Sequence, residues 1–220
     1  MSPRAAAKRV YDLGFSALGI VALTPLALLI ALAIKVDDGG RVFFRQERVG
    51  RGGRSFHMWK FRSMVADAPK LGLLITAGRD PRATRVGRWL RRLKLDELPQ
   101  LVNVLTGEMS LVGPRPEVPR YVALYSATER RVLEYRPGIT DPATLEFRNE
   151  EELLATAGNV EEFYVTRCIP RKIQLNLSYA ASATMWSDTV IIVRTLLPSF
   201  DRAMRRRGTA IGSERTGMPD

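Results

Sequence analysis

Two adjacent acids, Asp96 and Glu97, stand near the head of the segment LKLDELPQLVNVLTGEMSLVGPRP, Leu93 to Pro116. Asp96 is a natural helix N-cap, Pro99 is tolerated in a first turn and Gly107 suits a C-terminal cap. A helix is therefore expected from Glu97 to about Thr106, with the acid pair at its N-terminus. Backbone N–H groups and the positive end of the helix dipole would favour an ionised Asp96 there, the form a carboxylate nucleophile needs. The plainer reading is a capping Asp96 and a solvated first-turn Glu97. Few other chemistries are open, because His57 is the single histidine and Cys168 the single cysteine. That excludes a histidine-built zinc site, a histidine dyad, an internal disulfide and a multi-thiolate metal site. Cys168 reads as a lone buried thiol in a reducing compartment. Reaction chemistry must run on carboxylates, hydroxyls, Lys and Arg.

Cations are plentiful: 34 Lys and Arg oppose 23 Asp and Glu, a net charge of +11. The balance points to anionic partners, whether nucleic acid, anionic lipid or a phosphorylated substrate. Lys60, Arg62, Arg91 and Arg115 are the candidate phosphate cradle, arginine being suited to forked contacts with phosphate oxygens. Lys60 and Arg62, two apart, would share one face of a short strand in SFHMWKFRSM, and could equally meet lipid headgroups. Arg115 projects from a rigid turn between Pro114 and Pro116, where a plain surface arginine is the alternative. Arg91 belongs to RVGRWLRRLK, Arg85 to Lys94, a basic amphipathic helix with Val86, Trp89, Leu90 and Leu93 on one face. Trp89 among arginines suits a headgroup-level position. Arg136 either braces the turn RPGIT, Arg136 to Thr140, or touches ligand.

These groups must be held by surrounding elements. Leu13 to Ile34 carries no charge, and as a helix its 22 residues would reach about 33 Å, a membrane length. It lacks an A-x-A-like cleavage site and is expected to persist in the mature protein. Arg4, Lys8 and Arg9 precede it and Lys35, Arg41, Arg45 and Arg48 follow, so both ends read as cytoplasmic. Pro25 removes a helical hydrogen bond mid-segment, and the hydroxyl of Thr24 can satisfy a freed carbonyl. A broken helix re-entering the same leaflet and a kinked spanning helix both fit. NEEELLATAGNVEEF reads as polar helix, and the chain returns to helix from Pro170 through PRKIQLNLSYAAS and SDTVIIVRTLLPSFDRAMRRR. The expected fold class is α/β, mostly helical with few short strands. A membrane-anchoring helix (1–38) precedes a compact catalytic domain with interfacial amphipathic helices (39–207) and a flexible tail (208–220). Nucleic acid is disfavoured, because a membrane-length segment has no purpose there and no recognised binding motif occurs. A non-catalytic anionic-lipid-binding protein is the rival of another class.

Four segments, the apolar helix with Thr24-Pro25, WKFRSM, the block around Asp96 and RPGIT, resemble the small monotopic bacterial phosphoglycosyl transferases in order and spacing. The resemblance runs from about Lys8 to about Leu197, and the block around Asp96 is its most specific part. It implies a re-entrant helix on the cytoplasmic face of the bacterial inner membrane, with Thr24 where many members carry serine. It implies a two-step reaction in which Asp96 attacks the sugar-bearing phosphorus of a UDP-sugar, UMP leaves, and polyprenol phosphate takes the phosphosugar. Glu97 is then associated with a required Mg2+, and a homodimer is possible. Asp188 stands where members often have an acid before the last helix, there to pair with an active-site arginine or to contact substrate. After Thr140 the chain departs from the commoner pattern with DPATLEFRNEEELL from Asp141, so sugar contacts do not carry over there.

Overall fold

The computed structural model describes residues 3–65, 67–68 and 80–197. Helix α1 (Pro3–Asp38) is longer than the apolar run that announces it, because the basic and small residues before Leu13 continue the helix. Helical structure passes straight through Pro25. Neither end of the helix falls there, and Thr24 Oγ1 donates to the Ile20 carbonyl at 2.7 Å. Leu18, Val21, Leu28, Leu29, Leu32 and Val36 are all exposed. Only 11% of the most apolar window of α1 is buried, far less than a helix in a protein core would be.

Strands β1 (Phe43–Val49) and β2 (Ser55–Phe61) form an antiparallel hairpin, Phe43 opposite Phe61 and Val49 opposite Ser55. The expected strand in SFHMWKFRSM is β2, but its partner β1 lies in a stretch whose arginines were the only residues singled out. β1 exposes Arg45 and Glu47, with Arg45 laid 3.7 Å over the Trp59 ring, while Arg48 turns inward to pair with Glu117. Helix α2 (Arg85–Leu93) is capped by Thr84 and buries Gly87 and Leu90 while Trp89 and Leu93 stay exposed. A Cβ on Gly87 would lie 1.9 Å from the Ser63 carbonyl oxygen, so only glycine lets α2 sit this close to the chain after β2.

A 3-10 turn (Leu95–Glu97) leads to α3 (Gln100–Thr106), which ends on Gly107 at φ +91 as expected of its cap. β3 (Ser110–Val112) pairs in parallel with β4 (Gly138–Thr140). Between them lie α4 (Pro119–Val122) and a 3-10 segment (Glu129–Glu134). Gly113 and Gly138 let the two strands touch, since a Cβ on Gly138 would meet the Gly113 nitrogen at 2.1 Å.

The polar helical region 149–163 divides into α6 (Glu150–Ala155) and α7 (Val160–Phe163), and a short helix not expected from sequence, α5 (Pro142–Glu146), precedes it. From α7 the chain runs without a break through a π turn (Tyr164–Cys168) into α8 (Ile169–Ser182). Pro170 therefore lies inside a helical run rather than starting one; the wider π turn absorbs the missing N–H. Helix α9 (Met185–Leu196) opens with a capping box of Thr184 and Ser187. The basic continuation of α9 and the tail expected at 208–220 lie outside the described residues.

Three apolar clusters hold this together. Ile30 and Ile34 of α1 pack with Phe61 and Leu90, flanked by Leu95 and Leu98. Phe56, Met58, Val104, Met109, Leu111 and Ile191 join β2, α3, β3 and α9. Val118, Tyr121, Tyr164, Ile169 and Ile173 seat α8 against the 118–132 region.

Candidate active site

Lys94 closes α2 in the left-handed conformation, φ 58 and ψ 21, the sole non-glycine residue with positive φ among those described. This reversal, costing about 1 kcal/mol for a residue with a Cβ, swings Asp96 and Glu97 inward instead of continuing α2. Asp96 is not the cap of α3. It lies inside the 3-10 turn, with Leu98 and Pro99 between the acid pair and the helix. The reason is steric and local: the left-handed Lys94 starts a new turn at Leu95, one residue before the expected cap.

Glu97 is the hub. Arg115 Nη1 donates to its Oε2 at 3.1 Å and Nη2 to its Oε1, a forked ion pair, and Lys60 Nζ lies 3.7 Å from Oε1. Burial alone would raise the Glu97 carboxyl, but the Arg115 and Lys60 charges outweigh it and hold it well below the usual carboxylate range. Glu97 correspondingly raises Arg115. Burial brings Lys60 down to about 8 despite Glu97.

Asp96, 6% exposed, differs. Burial pushes its carboxyl up, opposed by Lys60, reinforced by Glu97 and opposed again by Arg91 and Lys94. This corrects the expectation that its position favours ionisation: the expected helix dipole is not at Asp96, and desolvation is the largest influence. No hydrogen bond to its carboxylate is found among the described residues. The site thus couples one anchored carboxylate with one buried, unengaged carboxylate in a field of cations.

Arg115 is aimed from its backbone. Its N–H donates to Asp141 Oδ2 at 3.1 Å, and the Gly138 N–H donates to the Pro114 carbonyl at 3.0 Å. Asp141, fully buried, also caps α5 through the Thr144 N–H at 2.6 Å and accepts from Asn176 Nδ2 at 2.7 Å. On the other flank Arg48 Nη1 donates to the Pro116 carbonyl at 3.0 Å and pairs with Glu117, which takes the Tyr164 hydroxyl. None of Asp141, Asn176, Arg48 or Glu117 stands out in sequence. The one available signal was Asp141-Pro142, an Asp before a first-turn proline, noted in sequence only as the start of a departure from the family's commoner pattern.

The other candidates disperse. Arg62 lies just beyond the end of β2 and pairs with Asp38 at the end of α1, so it does not share the role of Lys60. The strand stops at Phe61, and the Arg62 guanidinium covers Gly40, where a Cβ would lie 2.1 Å from Nη1. Arg91 pairs with Glu151 of α6 yet is near enough to Asp96 to lower it. Arg136 is pulled down by burial and by Arg9, and the charges it feels are Arg9, Asp12 and Arg51, not the acid pair. Asp188 is engaged by a lysine and a tyrosine: it accepts from Lys8 Nζ at 2.6 Å and the Tyr179 hydroxyl at 2.5 Å, tying α9 to α1.

A long, apolar, mostly bare helix docked on a domain that buries two carboxylates among lysine and arginine defines a class: a helix-anchored protein with a polar site suited to anionic ligands. The sequence pattern of the bacterial sugar transferases matches residues 3–202, and the chain belongs to that family. It is similar to an undecaprenyl-phosphate glucose phosphotransferase of Komagataeibacter xylinus, 44% identical over 196 residues, covering 86% of this chain and 35% of that protein. The exopolysaccharide production protein ExoY of Sinorhizobium fredii is 33% identical over 204 residues, covering 86% of this chain and 83% of that protein. A UDP-glucose:undecaprenyl-phosphate glucose-1-phosphate transferase of Caulobacter vibrioides is 38% identical over 195 residues, covering 86% and 68%. Against several other relatives the chain spans well under half of their length, 38% for a Xanthomonas campestris transferase of the same description.

Proposed function

We propose that the protein transfers a sugar 1-phosphate from a UDP-sugar to a polyprenol phosphate, with Asp96 as covalent nucleophile. The observation that carries this is the contrast inside the acid pair: Glu97 is locked by Arg115 and Lys60, while Asp96 is buried with no hydrogen bond to it among the described residues. An Asp96 oxygen attacks the sugar-bearing phosphorus; the bond to the UMP oxygen breaks and UMP leaves with the electron pair. A polyprenol phosphate oxygen then attacks the same phosphorus, which releases the Asp96 carboxylate and yields a polyprenol diphosphate sugar. Lys60 and Arg115 offset the repulsion between carboxylate and diphosphate and are oriented before substrate arrives. Family membership and the named activities of the relatives support the same substrates.

Mg2+ fits this donor set. It commonly uses one or two carboxylates and completes its shell with substrate phosphates and water. Glu97 has about four lone-pair sites, of which Arg115 engages two. Among the described residues no cluster of three or more His, Cys, Asp or Glu exists, so phosphate oxygens would have to supply the rest. Glu97 would hold the ion, which would polarise the phosphoryl group and neutralise its developing charge.

The anchor reading rests on contacts at both ends of α1. Near its start, Lys8, Arg9 and Asp12 bind Asp188, the Val104 and Leu105 carbonyls, and Ser110 with the Leu111 N–H. Near its end, Asp37 accepts from the Val86 N–H and Asp38 pairs with Arg62. Both ends touch one domain, so neither is separated from it by the roughly 30 Å of a bilayer core. This supports a monotopic protein on the cytoplasmic face of the inner membrane, the bare middle of α1 immersed from one side.

The deciding experiment mixes purified protein, Mg2+ and a panel of UDP-sugars, with and without polyprenol phosphate, and follows UMP. A roughly stoichiometric UMP burst without lipid, with label trapped on the Asp96 peptide and discharged by polyprenol phosphate, is expected. Asp96→Asn should remove the burst and keep the fold. UMP release that strictly requires lipid, with no trapped peptide, would replace the covalent scheme by direct transfer.

A further inference from the structure

Helix α6 opens with three acids, Glu150, Glu151 and Glu152, and two of them meet cations of other elements. Glu151 Oε1 accepts from Arg91 Nη2 of α2 at 2.5 Å. Glu150 pairs with Lys172 of α8, a charge contact in which Oε1 makes no aligned hydrogen bond. Neither cation is remote from the site. Arg91 stands in the last turn of α2, and its carbonyl accepts the Lys94 N–H at 3.1 Å in the reversal that leads to Asp96. Its charge reaches the Asp96 carboxyl. Lys172 lines one cleft with Arg115, Asp141 and Asn176.

A site that gathers cations for an anionic ligand needs countercharge while it is empty. The crowding is already felt at Lys60, whose charge is opposed by both Arg115 and Arg48. The acids of α6 supply countercharge from outside the Asp96–Glu97 pair, and their two links differ. On the α8 side the Glu150 side chain is 27% exposed, and Leu154, the one buried residue of α6, sits in the apolar cluster with Tyr164 and Ile169. On the α2 side the Glu151 side chain is 47% exposed. Exposed ion pairs contribute little, so the α2 side is the weaker fastening.

We propose that Glu151 is a placeholder for substrate phosphate: it holds Arg91 in the empty protein, and the diphosphate of the incoming UDP-sugar takes Arg91 from it. The guanidinium fork serves a phosphate as well as a carboxylate. Once exchanged, α6 is released at its α2 end while Glu150 and Leu154 keep it on α8. This rests on the reading of a UDP-sugar as donor and adds an internal competitor to it. Each donor must displace Glu151 before it binds, so the pair sets donor affinity rather than the rate of the chemical step.

Glu151→Gln keeps size and removes the charge. Glu152→Gln makes the same change of net charge one residue on and is the control for general electrostatics. The whole protein is assayed for UMP release with polyprenol phosphate and UDP-glucose, or whichever UDP-sugar is productive, and for amide hydrogen exchange over 150–155 with and without Mg2+ and UDP. Expected for Glu151→Gln are a KM for the donor lowered about two- to fivefold, the span of an exposed ion pair, and kcat within about twofold. In an Arg91→Gln background that gain should vanish, since the two residues act through one contact. In the wild type, exchange over 150–155 should quicken when UDP is added. Exchange that stays the same or slows overturns the proposal without recourse to a variant. Equal KM shifts for Glu151→Gln and Glu152→Gln, or a gain that survives loss of Arg91, overturn it in favour of long-range charge. An unchanged KM leaves a surface salt bridge, and a raised KM makes Glu151 a substrate contact; either result overturns it as well. A wild type that releases no UMP from any UDP-sugar sinks the donor reading itself, a result seen before any variant is made.

Discussion

Arg115→Lys tests whether the fork on Glu97 matters for more than its charge. In the wild type two guanidinium N–H groups meet the two Glu97 oxygens, and Lys60 stands 3.7 Å off as a second cation. A lysine at 115 keeps one positive charge but can occupy only one corner of the fork. The loss is then one charge-assisted hydrogen bond, about 1.5 kcal/mol. If the lost contact is realised in the transition state, that is about a tenfold fall in turnover. Arg115→Met removes the charge and leaves Glu97 with Lys60 alone; breaking a largely buried pair costs about 3 kcal/mol or more, so a fall above a hundredfold is expected. The Arg115 backbone N–H to Asp141 is untouched by either change, which separates loss of the fork from collapse of the turn. Steady-state UMP release with the productive UDP-sugar is the assay, with sedimentation onto liposomes as the control for membrane association, which should persist. The decisive comparison is a cycle with Glu97→Gln: residues acting as one unit should show a double variant little worse than the worse single one. Equal activity of Lys and Arg at 115, or costs that simply add, would refute the coupling and return Arg115 to a turn-bracing role.

Lys94→Gly should remove about 1 kcal/mol of left-handed strain and raise or preserve the thermal midpoint, while the missing cation near the acid pair lowers turnover; a lower midpoint would show that the Lys94 conformation is not strained. Burial and then Glu117 raise the Tyr164 hydroxyl well above its ordinary range, so in the folded protein it stays neutral where the unfolded chain has begun to ionise. A raised folded value means stability intact below about pH 10 and lost as pH climbs above it, by up to about 1.4 kcal/mol per pH unit for each such tyrosine; Tyr164→Phe should flatten that alkaline loss in midpoint-against-pH curves. Single cysteines at Ala5 and Ser55, with Cys168 replaced, should both react with an impermeant thiol reagent in inverted vesicles, whose cytoplasmic side faces out, and not in right-side-out ones; labelling of Ala5 in the right-side-out vesicles would end the monotopic reading.

The features legible in sequence were those written locally. The apolar run of α1 announces itself by length, Gly107 by its demand for positive φ, and α2 by its spacing of Leu90 against arginines. The hairpin partner β1 was missed because Phe43, Phe44 and Arg45 are all exposed, so FFRQERV shows no alternation to detect. β3 and β4 are three residues each, too short for a period of two to show. In the site, Asp96, Glu97, Lys60 and Arg115 were readable because they stand in segments that carry the family resemblance, the block around Asp96 and WKFRSM; an acid pair alone would not have sufficed, since Asp37-Asp38 and Glu161-Glu162 are pairs too. Asp141 with Asn176, separated by 35 residues, and Lys8 with Asp188, separated by 180, were not, because such pairing is set by packing rather than by neighbours. The displaced cap at Asp96 has a sharper cause: helix propensity rules assume a residue like Lys94 stays right-handed, and it does not.

The same local reversal explains why anchor and site are mechanically one object. Leu95 and Leu98, which bracket the acid pair, pack against the cluster built from Ile30 and Ile34 of α1, Phe61 of β2 and Leu90 of α2. The two acids of the turn meet Lys60 and Arg115, through direct contact for Glu97 and through the surrounding field for Asp96. A turn with apolar residues at its ends and acids between them can satisfy both sets only if the anchor lies along one side and the cations along the other. The depth of α1 in a membrane would therefore set the height of Asp96 above the lipid surface, which is the coordinate a reaction between a dissolved nucleotide sugar and a membrane-held phosphate must control. On this argument the Asp37 bond to the Val86 N–H and the Asp38 pair with Arg62, which fasten the end of α1 to α2 and β2, serve the chemistry as directly as the cradle does.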